Sequence, residues 1–238
     1  MNSITYPFHD SKWFIKHLYS YLFFIPFAGI FLLLGYQLRT IKENSTEDKD
    51  SLPEWDNRWA LIKDGFFTSL IILFYIAIPL ILLIITTVFL FFKLKDIEPE
   101  LFLETITGNT HLFIAFIIMI ISLFFTVLSS LLIPMATGIY AVKGSFWAAI
   151  NTTAVLWNIL KYFRPYIPVI LIPLFLSILW TVISLLLNMI PVIGQIITII
   201  LYIPVKFYVN LVASKLTGQI FKRHMVKFNI DANVTHAQ

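Results

Sequence analysis

The sequence predicts an all-α fold, a polytopic bundle of transmembrane helices, and three observations carry that expectation. The 238 residues are 59% hydrophobic and only 13% charged, against about 45–50% apolar and about 25% charged in a soluble domain. Asp, Glu, Lys, Arg and His are all missing from 65–92, 112–142 and 165–205. These runs have no charged face, and a charge-free apolar stretch of about 18 residues or more reads as a span, because the hydrocarbon core is ~30 Å thick and a helix rises ~1.5 Å per residue.

Four spans follow in order. Residues 65–92 make the first, with Pro79 near its middle and a length that requires tilt or a kink. Residues 112–133 make the second, and Pro134 with Gly138 predicts a break after it. Residues 166–187 and 192–213 make an antiparallel hairpin turned by Asn188 to Pro191. The first hydrophobic stretch, within 11–39, is ambiguous. Its Ile25-Pro26-Phe27-Ala28-Gly29 repeats the Ile-Pro-x-x-Gly pattern of Ile190-Pro191-Val192-Ile193-Gly194, where the chain must turn. Proline removes a backbone donor and glycine relieves a tight return. The repeat points to two half-length helices, 11–24 and 28–39, each too short to span, and hence to a re-entrant hairpin. A single kinked span over 18–38, a fifth crossing, is the competing reading.

Charge sets the orientation. Arg39, Lys42, Lys49, Arg58 and Lys63 lie in 39–63. Lys143, Lys161 and Arg164 lie in 143–164, and Lys206, Lys215, Lys222, Arg223 and Lys227 near the C-terminus. The segment 93–111 carries Asp96, Glu98, Glu100 and Glu104 against two lysines. The positive-inside rule puts the basic segments and the C-terminus in the cytoplasm of a multi-pass cell-membrane protein, and 93–111 outside.

Two basic segments read as interfacial amphipathic helices, at about 51–64 and 145–164. In the first, Trp55, Trp59, Ile62 and Phe66 form one helical stripe, and Ser51 with Glu54 has capping-box spacing. In the second, Trp147, Ile150, Trp157, Leu160 and Phe163 oppose Asn151, Asn158, Lys161 and Arg164. Trp55, Trp59, Trp147 and Trp157 are the expected anchors at headgroup depth. Packing of either helix on the underside of the bundle fits the same pattern. Each precedes a transmembrane pair, which hints at a duplicated helix-plus-hairpin unit. A charged linker at 40–50 and a flexible tail at 228–238 complete the single domain.

The candidate polar lining is small and neutral. Ser122, Thr126 and Ser130 share one face of the second span. Ser177, Thr181, Ser184 and Asn188 share one of the third, and Gln195, Thr198, Tyr202 and Lys206 one of the fourth. Such faces either pack together inside a bundle or line a path for a solute or lipid. Coupled ion transport calls for an ionisable group at membrane depth, and the spans offer only Lys206, near a cytoplasmic end where it can snorkel. The five histidines, His9, His17, His111, His224 and His236, lie in tails, loops or helix ends, which argues against tetrapyrrole ligation. With no cysteine, thiolate chemistry is excluded. Residues 1–12 lack the form of a cleavable signal peptide. No nucleophile elbow, phosphate loop, paired-histidine zinc motif or dinucleotide fingerprint occurs. The expectation is therefore no catalytic, metal or cofactor site. A net charge of +4, held in membrane-flanking segments, suits anionic lipid and not nucleic acid. The partners expected are the lipid bilayer and other membrane proteins.

Gly35-Tyr36-Gln37-Leu38-Arg39, Leu52-Pro53-Glu54-Trp55-Asp56, Asp64-Gly65 and Leu216-Thr217-Gly218-Gln219 together resemble the uncharacterised prokaryotic multi-pass membrane family catalogued as domain of unknown function 4013. The resemblance covers nearly the whole chain. It implies an integral membrane location and no established activity, substrate or cofactor, and it defines no functional residues to carry over. The expected function is that of a non-catalytic structural, assembly or membrane-organising protein. The alternative is a transporter or channel component for an apolar or zwitterionic solute or lipid. Single cysteines introduced at positions 2 and 100 test the topology with a membrane-impermeant maleimide on intact cells. Labelling is expected at 100 and not at 2; labelling at 2 contradicts the re-entrant reading.

Overall fold

The computed structural model describes residues 4–24, 27–46, 51–95 and 97–234, and among these it is helical with no strand. In chain order the helices are α1 (Trp13–Phe24), α2 (Phe27–Thr46), α3 (Arg58–Leu94), α4 (Phe102–Gly108), α5 (Thr110–Lys143), α6 (Phe146–Ile150), α7 (Thr152–Lys161), α8 (Phe163–Asn188) and α9 (Ile193–Val234). Four are long and apolar enough to cross a membrane: α3, α5, α8 and Ile193–His224 of α9. All four predicted spans are thus present, and each is longer than its charge-free core. At ~1.5 Å per residue, the 37 residues of α3 run to about 55 Å, so its charged first turns lie beyond the apolar stretch.

Three local expectations are corrected. Residues 51–57 are irregular and no helix covers 51–64; α3 starts at Arg58 and runs unbroken into the span. Pro53 is the physical reason, since it withholds a donor and biases Leu52 to extended backbone. The true cap is Asn57, whose Oδ1 accepts from the Ala60 N–H at 3.3 Å, in place of the Ser51–Glu54 box. Pro134 does not break the second span, because α5 continues through it to Lys143. The segment 145–164 is two short helices. Ser145 Oγ caps α6 by accepting from Ala148 N–H, and Asn151 Oδ1 caps α7 by accepting from Ala154 N–H.

The chain divides into two compact units, Ile72–Ile133 and the remainder. In the smaller unit the parts of α3 and α5 within 72–133 and the connecting α4 bury Leu90, Leu94, Ile106, Leu112 and Ala115, with Phe116 and Met119 against them.

In the larger unit α2 packs on α1 and α9, and α8 packs on α9 as the predicted hairpin. At that hairpin's turn Val192 takes a positive φ of 64°, unusual for a β-branched residue. A Cβ on Gly194 would lie 1.7 Å from the Leu187 carbonyl oxygen. Only glycine lets the chain return so closely.

The first hydrophobic stretch is likewise two helices that return on one another. Tyr19 of α1 and Tyr36 of α2 both meet the ring of Trp55, at 6.4 Å and 4.0 Å between centroids. His17 and Tyr36 both meet Phe207. A continuous helix would hold residues 19 and 36 about 25 Å apart. Among the described residues α1 and α2 are thus two separate helices and not one continuous one. Ile25 and Pro26 of the repeated turn pattern lie outside the described residues, as do 47–50 of the charged linker.

The α2–α3 crossing is backbone against backbone. A Cβ on Gly35 would fall 1.9 Å from the Leu61 carbonyl oxygen, and one on Gly65 would fall 1.7 Å from that of Phe31. Small residues permit this approach between membrane helices. Gly65→Ala is expected to force α2 and α3 apart and to lower stability by about 1–3 kcal/mol, measured by thermal unfolding in detergent. Gly108→Ala, where an added Cβ meets nothing within 4 Å, should stay within about 1 kcal/mol of the parent. Equal losses at both positions would contradict the close crossing.

Candidate functional site

The best-organised polar region of the molecule is built around the irregular segment 51–57. Backbone outside helices has no internal partners, and burying it requires other groups to take each donor and acceptor. Leu52 and Trp55 are buried to 2% and 8% exposure, so the requirement applies here. Side chains from the N-terminal turn, α1 and α2 meet it. Asp10 Oδ2 accepts from Leu52 N–H at 3.0 Å, and Lys16 Nζ donates to the Leu52 carbonyl at 2.9 Å. Tyr6 donates to the Ser51 carbonyl at 3.1 Å and Tyr36 to the Pro53 carbonyl at 2.7 Å. Arg39 Nη1 donates to the Glu54 and Asp56 carbonyls at 3.2 Å and 3.4 Å.

The charges are arranged to match. Lys16 is 3% exposed, and its three donors reach Leu52 O, Asp10 Oδ2 at 2.9 Å and Glu54 Oε1 at 3.0 Å. Arg39 bridges Glu43 Oε1 at 3.1 Å and the Asp56 carboxylate. Burial penalises the Asp10 carboxylate, but hydrogen bonds from Lys16 and from the backbone N–H groups of Lys12 and Leu52 outweigh that, holding its pKa below the ordinary 3.8. Burial works against the Arg39 charge, yet Asp56 and Glu43 raise its pKa further. The hydrogen bond from Arg39 lowers that of Asp56 in turn.

The rings close the site. Trp55 stacks on Tyr36 with 18° between planes, and Phe207 of α9 stacks beyond it at 6.2 Å. Around them Tyr6, Leu32, Leu33, Leu52, Leu61 and Leu211 form one apolar cluster. Lys215 of α9 is fully buried, with its ammonium 4.0 Å above the Tyr6 ring, a cation–π contact. Further along α2, a Cβ on Gly218 of α9 would stand 2.7 Å from Asn44 Cβ and from the Ile41 carbonyl oxygen. Most of the short motifs singled out in the sequence thus meet here, on α2, the 51–57 segment, the start of α3 and the late part of α9.

Residues 18–192 match a family model described as "Protein of unknown function (DUF4013)". The chain belongs to the DUF4013 family. No curated protein and no solved structure matches. The family's description assigns no activity, so the site is read from its own geometry.

The other candidates fall as follows. Trp55 is buried in the apolar cluster at 8% exposure, whereas Trp59, Trp147 and Trp157 are 77%, 76% and 66% exposed. Ser122, Thr126 and Ser130 lie in the smaller unit, and Ser177, Thr181, Ser184, Asn188, Gln195, Thr198 and Tyr202 lie in the larger. Several hydroxyls donate to their own helix: Thr126 to Ser122 O, Ser130 to Val127 O, Thr181 to Ser177 O and Ser184 to Thr181 O. Asn188, Gln195 and Tyr202 are exposed. His17 is buried against Trp13 and Phe207, its Nδ1 donating to the Trp13 carbonyl at 3.0 Å. Among the described residues no group of three His, Cys, Asp or Glu is placed to hold a metal ion.

Sequence reasoning missed Lys16, Asp10 and Tyr6. Their signal was faint: one lysine and one aspartate six apart on an otherwise apolar approach to α1.

Lys16→Met leaves the Asp10 carboxylate buried without its cation and is expected to cost about 3–5 kcal/mol in thermal unfolding. The pH response separates this from a packing defect. A depressed carboxyl pKa contributes stability that is complete above the unfolded value and lost as pH falls through the folded one, so the parent should weaken only below about pH 4. In Lys16→Met the Asp10 pKa should move above its unfolded value, so acidification from pH 7 toward pH 4 should restore stability. A parallel fall in both proteins would contradict the ion cluster.

Proposed function

We propose that this protein is a non-catalytic structural or membrane-organising component of the cell membrane, with its C-terminus in the cytoplasm and with lipid and other membrane proteins as partners. The observation that carries the reading is the employment of its buried polar groups. Lys16, Asp10, Arg39, Tyr6 and Tyr36 hold one stretch of chain against another. A transport or catalytic centre needs polar groups left available to a substrate.

Further support comes from the surface. The apolar windows of the four long helices are only 11–22% buried, which suits faces covered by lipid or by neighbouring membrane proteins. The α1–α2 hairpin enters the membrane from the cytoplasmic side and returns, since α1 is 12 residues long, about 18 Å at helical rise.

Transport of an apolar or zwitterionic solute or lipid is the competing function, and the polar faces of α8 and α9 give the test. The double variant Asn188→Leu, Gln195→Leu should retain the yield and melting temperature of the parent, because both side chains are exposed. In proteoliposomes, glycine efflux and exchange of fluorescent phosphatidylcholine should match protein-free vesicles for parent and variant alike. Protein-dependent flux that disappears in the variant would overturn the structural reading.

A further inference from the structure

The larger unit contains a second polar feature that the clamp on 51–57 does not use. A cavity of about 400 Å³ opens where α2, the first turns of α3, the end of α5 and the start of α6 come together. Lys42, Lys63 and Asp64 line it beside the rings of Phe67, Tyr140 and Phe146. Phe67 stands at the centre of the aromatic group, 6.2 Å from each of the other two rings. The volume falls in the ligand-sized range of roughly 300–1,000 Å³.

The charge of the cavity is informative. Elsewhere in the unit, Lys16 and Arg39 are both engaged by carboxylates. Neither Lys42 nor Lys63 has a carboxylate within ion-pair distance among the described residues. Both lysines are exposed, on separate helices, and face one space. With Asp64 they leave a net charge of +1, which suits a singly charged phosphate diester better than a multiply charged anion.

Depth points the same way. Lys63 and Asp64 immediately precede the charge-free run at 65, and Tyr140 lies in the last turn of α5. The cavity therefore sits at the level where two spans leave the apolar layer, at their basic end. Trp59 and Trp147, 77% and 76% exposed, lie at the same ends of those elements, as aromatic residues do at headgroup depth. Two ammonium groups beside three rings offer an anionic head a charge partner and the adjoining carbons an apolar wall.

We infer that this cavity is a binding site for a phosphate diester, the head of an anionic phospholipid, held by Lys42 and Lys63 against Phe67, Tyr140 and Phe146. The site stands on its own geometry, whatever the protein's wider role.

The test is native mass spectrometry of the full-length protein in neutral detergent, titrated with phosphatidylglycerol, phosphatidylcholine or inorganic phosphate. One phosphatidylglycerol should be retained in preference to phosphatidylcholine. Lys42→Gln with Lys63→Gln should weaken that retention by on the order of tenfold or more, and the paired arginine variant should restore it. Lys12→Gln with Lys222→Gln removes the same charge at exposed positions elsewhere and should leave retention unchanged. Circular dichroism on each variant confirms that helix content is kept. Competition by millimolar phosphate would identify a free anion as the source of the bound group; its failure to compete would identify the lipid head. Equal retention of the two lipids, or equal loss in both glutamine pairs, would overturn the site.

Discussion

Seven residues of irregular backbone, 51–57, set the terms for the larger unit. A helix satisfies its own amides and carbonyls; this segment does not, and it is nonetheless packed into a core between hydrophobic elements. Its polar backbone must be met from outside, by Asp10, Lys16, Tyr6, Tyr36 and Arg39. Tyr6 and Asp10 precede α1, Lys16 lies on α1, and Tyr36 and Arg39 lie on α2, so meeting the segment fixes how α1 and α2 lie over the entry to α3. The glycine crossing at Gly35 and Gly65 then brings the α2 and α3 backbones into direct contact, leaving little freedom for either helix to slide.

The energetic roles of these contacts differ. A buried lysine with three acceptors and a buried aspartate are costly to desolvate, and their mutual attraction offsets much of that cost without a large surplus. Their effect is on specificity: any other register of α1 against 51–57 leaves a buried charge unmatched. Arg39 lies nearer the surface, where ion pairs contribute little, and it acts mainly through the loop carbonyls. The stabilising weight falls on the aromatic and aliphatic burial around Trp55, Tyr36 and Phe207, since stacked rings of this size combine a large apolar area with a preferred geometry.

Much of the architecture was legible because lipid imposes a coarse and strict rule on sequence. Runs without charge, such as 165–205, can be read as spans with no knowledge of packing, and Asn188 to Gly194 reads as a turn because proline and glycine leave the chain few options. The irregular segment was not legible in the same way. Trp55, Trp59, Ile62 and Phe66 fall at helical spacing, yet Trp55 precedes the helix and its ring is buried by stacking, which periodicity cannot distinguish from an interfacial stripe. Pro134 illustrates the reverse: proline in a long apolar helix is tolerated where neighbouring groups compensate, so a break does not follow from its presence. The polar faces of α5, α8 and α9 were visible as patterns, but the bonding of the α5 and α8 hydroxyls to preceding turns depends on local geometry. Nor does the spacing of Asp10, Lys16 and Glu54 suggest that they share one ion cluster, since only the packing of α1 and α2 around 51–57 brings them together.

The return of α1 on α2 is the account's central claim, and the absence of cysteine from the sequence makes it directly measurable. Spin labels on cysteines introduced at Leu18 of α1 and Gln37 of α2, read by double electron–electron resonance in lipid nanodiscs, report the separation of the two helices. Packed helices lie roughly 8–10 Å apart, so with label linkers the account predicts a distribution centred below about 20 Å. A distribution near 30 Å, the length of a continuous helix between those positions, would contradict it.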